Sequence, residues 1–394
     1  MKYASPYTPG AGAMPSYLAG RNEMLENAEK TLQALVNGYP QKSVVYYGLR
    51  GVGKTVLLNA IEDQAEQLNI LYSHIEIAEK RSFIIQIANA SKKMIHQMSV
   101  VEAAKDFGRK AVGILQAFQV TYNPEDQTFT AGAGEPSAYV STGVLSDDLT
   151  EMFVAMGRTA VKAGKAICFF IDEIQYMKTN EMEALINALH RVNQLRLPII
   201  VYGAGLPKIL RILGEVKSYS ERLFKFILVS KLSDDEATAA IVNPARKLNV
   251  MYEDGAVNEI KKWTEGYPYF IQELCDTVWA YTNKEIIFES DVERVIPTFE
   301  TNLDKGFFKV RFDRCTKKEQ DFLFAMVKCG DLPCTISNVA KILGKKGNAV
   351  SPTRAQLINK GLVYSTGHGE IDFTVPQFDL FLKRINPQLR IEKE

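Results

Sequence analysis

Gly48-Leu49-Arg50-Gly51-Val52-Gly53-Lys54-Thr55 matches the pattern G-x-x-x-x-G-K-S/T in full, and it lies between segments of different periodicity. Before it stands a β-rich run, Ser43-Val44-Val45-Tyr46-Tyr47; after it, Val56, Leu57, Leu58, Ile61, Ala65 and Leu68 recur at helical spacing. A loop that follows a strand and opens a helix can curl its N–H groups around phosphate, aided by the positive end of the helix dipole. The glycines permit the curl. Lys54 would then reach the β- and γ-phosphates, and the Thr55 hydroxyl would bind Mg²⁺. The expected nucleotide contacts are therefore Gly48, Leu49, Arg50, Gly51, Val52, Gly53, Lys54, Thr55 and the adjoining Val56.

Such a loop needs an acidic partner. The apolar run Ile167-Cys168-Phe169-Phe170-Ile171 ends in Asp172-Glu173, two carboxylates at the carboxyl end of a buried strand. Charge there is costly unless a metal or hydrogen bonds compensate. Asp172 would orient Mg²⁺, and Glu173 would polarise the water that attacks the γ-phosphate. Asn283-Lys284-Glu285 lacks the Asp of an N-K-x-D motif, so guanine specificity has no support.

The other segments give an α/β reading. Strands are expected at 43–47, 70–77, 166–171, 197–203 and 226–229, separated by helical patterns. Apolar strands alternating with helices predict a parallel sheet covered on both faces. Residues 1–18, rich in Gly, Pro and Ala, read as an irregular leader, and 19–232 as the sheet domain. Residues about 80–160 form an insertion, in which the stretch 122–142 resembles an exposed hairpin or loop. Residues 233–302 turn helical, around Gly266-Tyr267-Pro268, and 303–394 form a last unit. With 46% hydrophobic and 24% charged residues among 394, the chain is neither disordered nor collagen-like.

The motifs, in this order, resemble the AAA+ and signal-transduction P-loop ATPases, particularly the origin-recognition-like and archaeal-type ATPases. Ala19-Gly20-Arg21-Asn22-Glu23 is similar to the Gly-Arg-x-x-Glu box that precedes the P-loop and flanks the adenine. Gly266-Tyr267-Pro268 is similar to the Gly-x-Pro of the helical lid, whose proline packs near the base. The resemblance spans about residues 19–385, outside the insertion. It implies an ATP-binding and ATP-hydrolysing switch, with ATP, ADP and Mg²⁺ as ligands and Arg21 and Pro268 at the nucleotide. Two departures tilt it towards the signal-transduction branch. No polar first sensor stands in Val201-Tyr202-Gly203-Ala204-Gly205, and the Gly-x-Pro occupies the place of a sensor arginine. Arg222, before the fifth strand, matches either a γ-phosphate-sensing arginine acting across a subunit boundary or an ordinary surface ion pair.

Charge separates the last unit from the rest. The whole chain is +1, yet residues 305–394 hold 16 basic and 9 acidic residues, +7, against 31 and 37 elsewhere, −6. Helical patterns at 316–327, 337–343 and 351–360, followed by a hairpin at 361–375, follow the winged helix-turn-helix plan. Arg354, Lys360, Lys345 and Lys346 are the expected contacts to double-stranded DNA. Winged helices also bind proteins, so a regulatory or defence-type switch with a protein partner, or self-association, is the alternative. Five cysteines without a C-x-x-C pair fit a reducing compartment. No apolar run approaches the ~18 residues of a membrane span. A cytoplasmic protein is the expectation.

Overall fold

The computed structural model describes residues 4–78, 82–122, 139–216 and 220–389. Five apolar segments become β1 (Ser43–Tyr47), β2 (Leu71–Glu76), β3 (Ile167–Asp172), β4 (Ile199–Gly205) and β5 (Phe224–Leu228). They make one parallel sheet in the order β2-β3-β4-β1-β5. Every residue of β3 and β4 is buried, as near-continuous apolar strands must be when helices cover both faces. Alternate side chains go to opposite faces: Phe169 and Ile171 join one core, Cys168 and Phe170 the other.

Two helices close the first face. α1 (Asn22–Val36) and α2 (Lys54–Gln67) bring Leu32, Leu57 and Ile61 against Tyr46, Phe170 and Tyr202. The Phe170 and Tyr202 rings stack at 5.7 Å. The second face is covered by α3 (Phe83–Ser99), α4 (Lys105–Tyr122), α5 (Leu145–Ala163) and α6 (Thr179–Gln194). Ile87, Ile95, Leu115, Met152, Phe153 and Leu185 pack there with Phe169 and Ile171. The described part of the expected insertion is thus helical and belongs to the core. The hairpin or loop expected over 122–142 falls mostly on 123–138, outside the described residues. Its flanks meet at Asp148, which accepts from the Tyr122 hydroxyl (2.7 Å) and the Thr142 amide (2.8 Å). α7 (Ile209–Val216) and α8 (Ser220–Leu223) lead from β4 to β5.

The second half is mostly helical. α9 (Asp234–Arg246), α10 (Asp254–Thr264), α11 (Pro268–Tyr281) and α12 (Glu289–Asn302) surround a small parallel pair, β6 (Met251–Tyr252) with β7 (Ile286–Ile287). Ser233 and Glu236 cap α9 reciprocally, and Pro268 opens α11, where its missing N–H costs nothing. α12 passes through a π-helical turn, Leu303–Phe308, into α13 (Lys309–Phe312). The boundary expected at 302/303 therefore lies inside a continuous helical run.

α14 (Lys317–Lys328), α15 (Ile336–Ile342) and α16 (Gly347–Asn359) follow, with α17 (Phe378–Ile385) near the end. β8 (Cys334–Thr335), β9 (Val363–Gly367) and β10 (Glu370–Phe373) form an antiparallel sheet in the order β8-β10-β9. Thr316 caps α14 with Glu319, as its sequence predicts. One apolar core runs from Leu232 and Phe270 through Phe308 to Phe381 and Leu382, so α9–α12 and the last unit are packed as one body. All five cysteines are free. Among the described residues no helix is long and apolar enough to cross a membrane.

Candidate functional site

The phosphate loop leaves β1 and enters α2 through left-handed turns at Gly51 (φ +79°) and Gly53 (φ +87°), conformations that favour glycine. Gly48 is required for a different reason: a Cβ there would lie 2.1 Å from the Val229 carbonyl oxygen. The loop is held from behind by Arg21, a buried guanidinium that donates to the Val52 (3.0 Å) and Ser230 (2.8 Å) carbonyls. Burial lowers the pKa of Arg21. Lys54 donates to the carbonyls of Gly48 (3.0 Å) and Leu49 (2.7 Å). Burial pulls its pKa down to about 8 against the opposing pull of Glu173 and Asp172.

β3 delivers the carboxylates beside this loop. The Thr55 hydroxyl donates to Asp172 Oδ2 at 2.6 Å, and the Glu173 amide donates to Asp172 Oδ1 at 2.7 Å. Asp172 is buried, which raises its pKa, while the Thr55 bond opposes the rise. One hydroxyl and one buried carboxylate, both hard oxygen donors, suit Mg²⁺, which keeps waters and phosphate oxygens for its other positions. Among the described residues no group of three or more His, Cys, Asp or Glu could hold a metal by itself.

Glu173 has φ +51°, a left-handed conformation that is uncommon for a side chain of its size and that clusters at active sites. Its carboxylate is 3.5 Å from the Arg50 guanidinium and accepts from Gln175 Nε2. Gln175 Oε1 in turn accepts from the Leu206 amide at 3.0 Å, just past β4. The polar group that β4 lacks is thus supplied by Gln175 from the β3 side. A Cβ on Gly205 would lie 2.6 Å from that oxygen, so the apolar end of β4 makes room for it.

A cleft of about 420 Å³ opens over the loop, a size suited to a nucleotide. Of the expected site residues, Arg50 to Val56, Asp172, Glu173, Arg21 and Pro268 line it. Gly48 and Leu49 stand behind the loop and hold Lys54. Sequence reasoning missed three further walls. The leader contributes Thr8 to Ala13, pinned by Gln272 Oε1 on the Thr8 amide (2.9 Å) and Asn59 Nδ2 on the Gly12 carbonyl (3.1 Å). Tyr269 adjoins Pro268, and its amide donates to Gly51 (3.1 Å). Gly306, Phe307 and Arg311 come from the π turn and α13. Only the leader's Gly and Pro content signalled anything unusual. Arg222 is exposed and does not line the cleft.

Residues 17–202 match the family model of an AAA ATPase domain. That stretch is similar to AAA ATPase domains. Its P-loop fold fits the sheet order and flanking helices above. A domain of unknown function (DUF8462) matches residues 305–382, the basic last unit. Among solved structures, a Walker-type ATPase of Pyrococcus abyssi is 13% identical with a TM-score of 0.56, covering 97% of this chain and 98% of that one. This likeness is one of fold. The Orc1 protein of Aeropyrum pernix in complex with DNA is 15% identical with a TM-score of 0.47, covering 95% and 94%. No curated protein matches the sequence.

The last unit meets the sheet domain at the phosphate loop. The Arg50 amide donates to the Thr374 carbonyl (3.1 Å), and Arg50 also donates to the Tyr176 hydroxyl (3.1 Å). Lys208, over the Tyr176 ring, faces the Ile358 and Asn359 carbonyls at the end of α16, each at 3.4 Å. Lys345 and Lys346 are exposed before α16, and Arg354 donates to Ser365 on β9 (2.7 Å). Lys360 departs from its expected place on a DNA-contacting face. It pairs with the buried Glu319 (2.7 Å) and donates to the Arg314 carbonyl (2.9 Å), because Glu319 would otherwise be an uncompensated buried charge.

Proposed function

We propose that this chain is an ATP-hydrolysing AAA+ switch of the origin-recognition-like and signal-transduction type, and that its last unit is a winged helix that binds double-stranded DNA. In this reading 19–232 is the ATPase core, 233–302 the lid and 303–394 the winged helix. The observation that carries the switch is the position of Arg50. It is a phosphate-loop residue whose side chain reaches Glu173 and whose amide is bonded to Thr374 of the last unit. A change at the terminal phosphate that moves the loop or Glu173 is felt directly by the last unit.

Hydrolysis falls to Glu173, which accepts a proton from the water attacking the γ-phosphorus, yielding ADP and phosphate. Lys54 and the loop N–H groups hold the phosphates. Mg²⁺, when bound by Thr55 and Asp172, supplies positive charge for the phosphate oxygens. If copies associate, Arg222 is exposed and able to serve a neighbour's nucleotide.

The DNA reading rests on the local +7 charge and the exposed Lys345 and Lys346 at the start of α16. A second reading, a protein-binding winged helix, is favoured by the engagement of Lys360 with Glu319 and of the end of α16 with Lys208. A salt titration of the full chain on a labelled duplex, with Mg²⁺ and either ATP or ADP, separates them. DNA binding predicts a linear fall of log affinity with log salt and different affinities in the two nucleotides. No binding at low salt favours the protein partner.

A further inference from the structure

Arg311 reaches the nucleotide cleft from outside the sheet domain. The π-helical turn Leu303–Phe308 delivers it. A π turn adds one residue to the helical repeat, which swings the residues after it by about 100° around the axis. Gly306, Phe307 and Arg311 face the cleft as a result. The Arg311 guanidinium lies 4.2 Å from the centre of the Phe307 ring and donates to the Phe307 carbonyl. Phe307 stacks on Tyr269 at 4.8 Å, and the Tyr269 amide holds the Gly51 carbonyl of the phosphate loop. A continuous set of contacts therefore fixes Arg311 relative to the loop.

Its charge is unbalanced. Among the described residues no carboxylate forms an ion pair with Arg311. Burial, with the nearby charge of Arg50, pulls its pKa down to about 10, so it remains a cation at neutral pH. Lys54, Arg50 and Arg311 share the cleft with two carboxylates, of which Asp172 is engaged by Thr55 and Glu173 by Arg50. A stacked, half-buried guanidinium near Arg50 and Glu173, in the same cleft as Lys54, is arranged for an anion.

We infer that Arg311 binds the terminal phosphate of ATP, so that the joint between α12 and the last unit takes part in telling ATP from ADP. This rests on the assignment of the cleft to ATP. The guanidinium forms charge-assisted hydrogen bonds with the γ-phosphate oxygens, and ADP offers no group at that position.

The test is calorimetric titration of the full chain with Mg²⁺ and either AMP-PNP or ADP, for the parent, Arg311→Gln, Arg311→Lys and Arg314→Gln. Arg311→Gln should lose about 10- to 100-fold in AMP-PNP affinity, the worth of hydrogen bonds to a charged group. Its ADP affinity should stay within about threefold, and Arg311→Lys should recover part of the loss. The exposed Arg314→Gln should match the parent. Equal losses for both nucleotides would reduce Arg311 to packing on Phe307, and an unchanged ratio in Arg311→Gln and Arg311→Lys would overturn the inference. Lys54→Ala separates the two levels: parent-like binding by that variant sinks the ATP site itself, whereas its loss of binding beside an unchanged Arg311→Gln ratio sinks Arg311 alone.

Discussion

The backbone amide of Arg50, in the phosphate loop, donates to the carbonyl of Thr374, beyond β10, across 3.1 Å. The approach is this close because Gly361 has no side chain. At φ +67°, a Cβ there would lie 2.7 Å from the Tyr176 hydroxyl and 3.1 Å from the Arg50 guanidinium. Thr374 is fixed in turn by its amide on Leu362 (2.9 Å) and its hydroxyl on Gly361.

Gly361→Ala should therefore pry the last unit from the loop. The left-handed conformation alone costs an alanine about 1–3 kcal/mol, and the wedge adds to it. Hydrogen exchange of the amides of Arg50 and Thr374 should speed up, while strands β2 and β3 keep their protection. Unchanged exchange at Arg50 would mean that the contact is not maintained in solution.

Lys54 and Glu173 divide binding from turnover. Lys54→Ala should abolish tight ATP binding, and Glu173→Gln should bind ATP but hydrolyse it about 10²–10⁴-fold more slowly. Phosphate release at saturating ATP reads the second effect, and parent-like turnover would remove Glu173 from its role.

The depressed pKa of Lys54 adds a pH signature. Its folded pKa of about 8 lies below the usual lysine value, so in free protein the cation is lost as pH rises through 8. Phosphate draws the proton back. ATP binding near pH 8 should take up protons, and affinity should fall above that pH. Calorimetry in buffers of different ionisation heat measures the uptake. Equal heats in all buffers would count against it.

Glu319 and Lys360 form an ion pair within the last unit, with Glu319 buried. Burial alone would raise the Glu319 pKa, but the Lys360 bond and the Thr316 cap outweigh it and the net shift is downward. A depressed carboxyl contributes stability above its unfolded pKa of about 4.3, and loses it as pH falls through the folded value. Lys360→Ala should cost about 3–5 kcal/mol by stranding a buried charge. Lys345→Glu with Lys346→Glu should leave stability unchanged and weaken DNA binding. Denaturant unfolding and the salt titration read the two effects. If Lys360→Ala unfolds like the parent, the pair is not formed.

The nucleotide half of the site was legible because its chemistry is local. A loop of eight residues, two carboxylates after an apolar strand, and a Gly-Arg box need only short-range geometry to be recognised, and β1 to β5 follow from apolar runs of strand length. The leader was not legible in the same way. Thr8 to Ala13 form a cleft wall only because Gln272 and Asn59 hold their backbone, a pairing between segments far apart in sequence.

By itself, then, the sequence determined a parallel α/β core, the position of the phosphate loop and the apolar strand that carries Asp172 and Glu173 beside it. Periodicity and motif spacing act within one or two elements, and those patterns survive without knowledge of their neighbours. Tertiary structure alone decided that Lys360 serves Glu319, that Gln175 holds Glu173 in place of a β4 side chain, and that Arg311 and Thr374 come to the loop. Each depends on how α9–α12 and the last unit share one core and lie against the sheet. That packing is set by many apolar contacts at once, and no single motif encodes it.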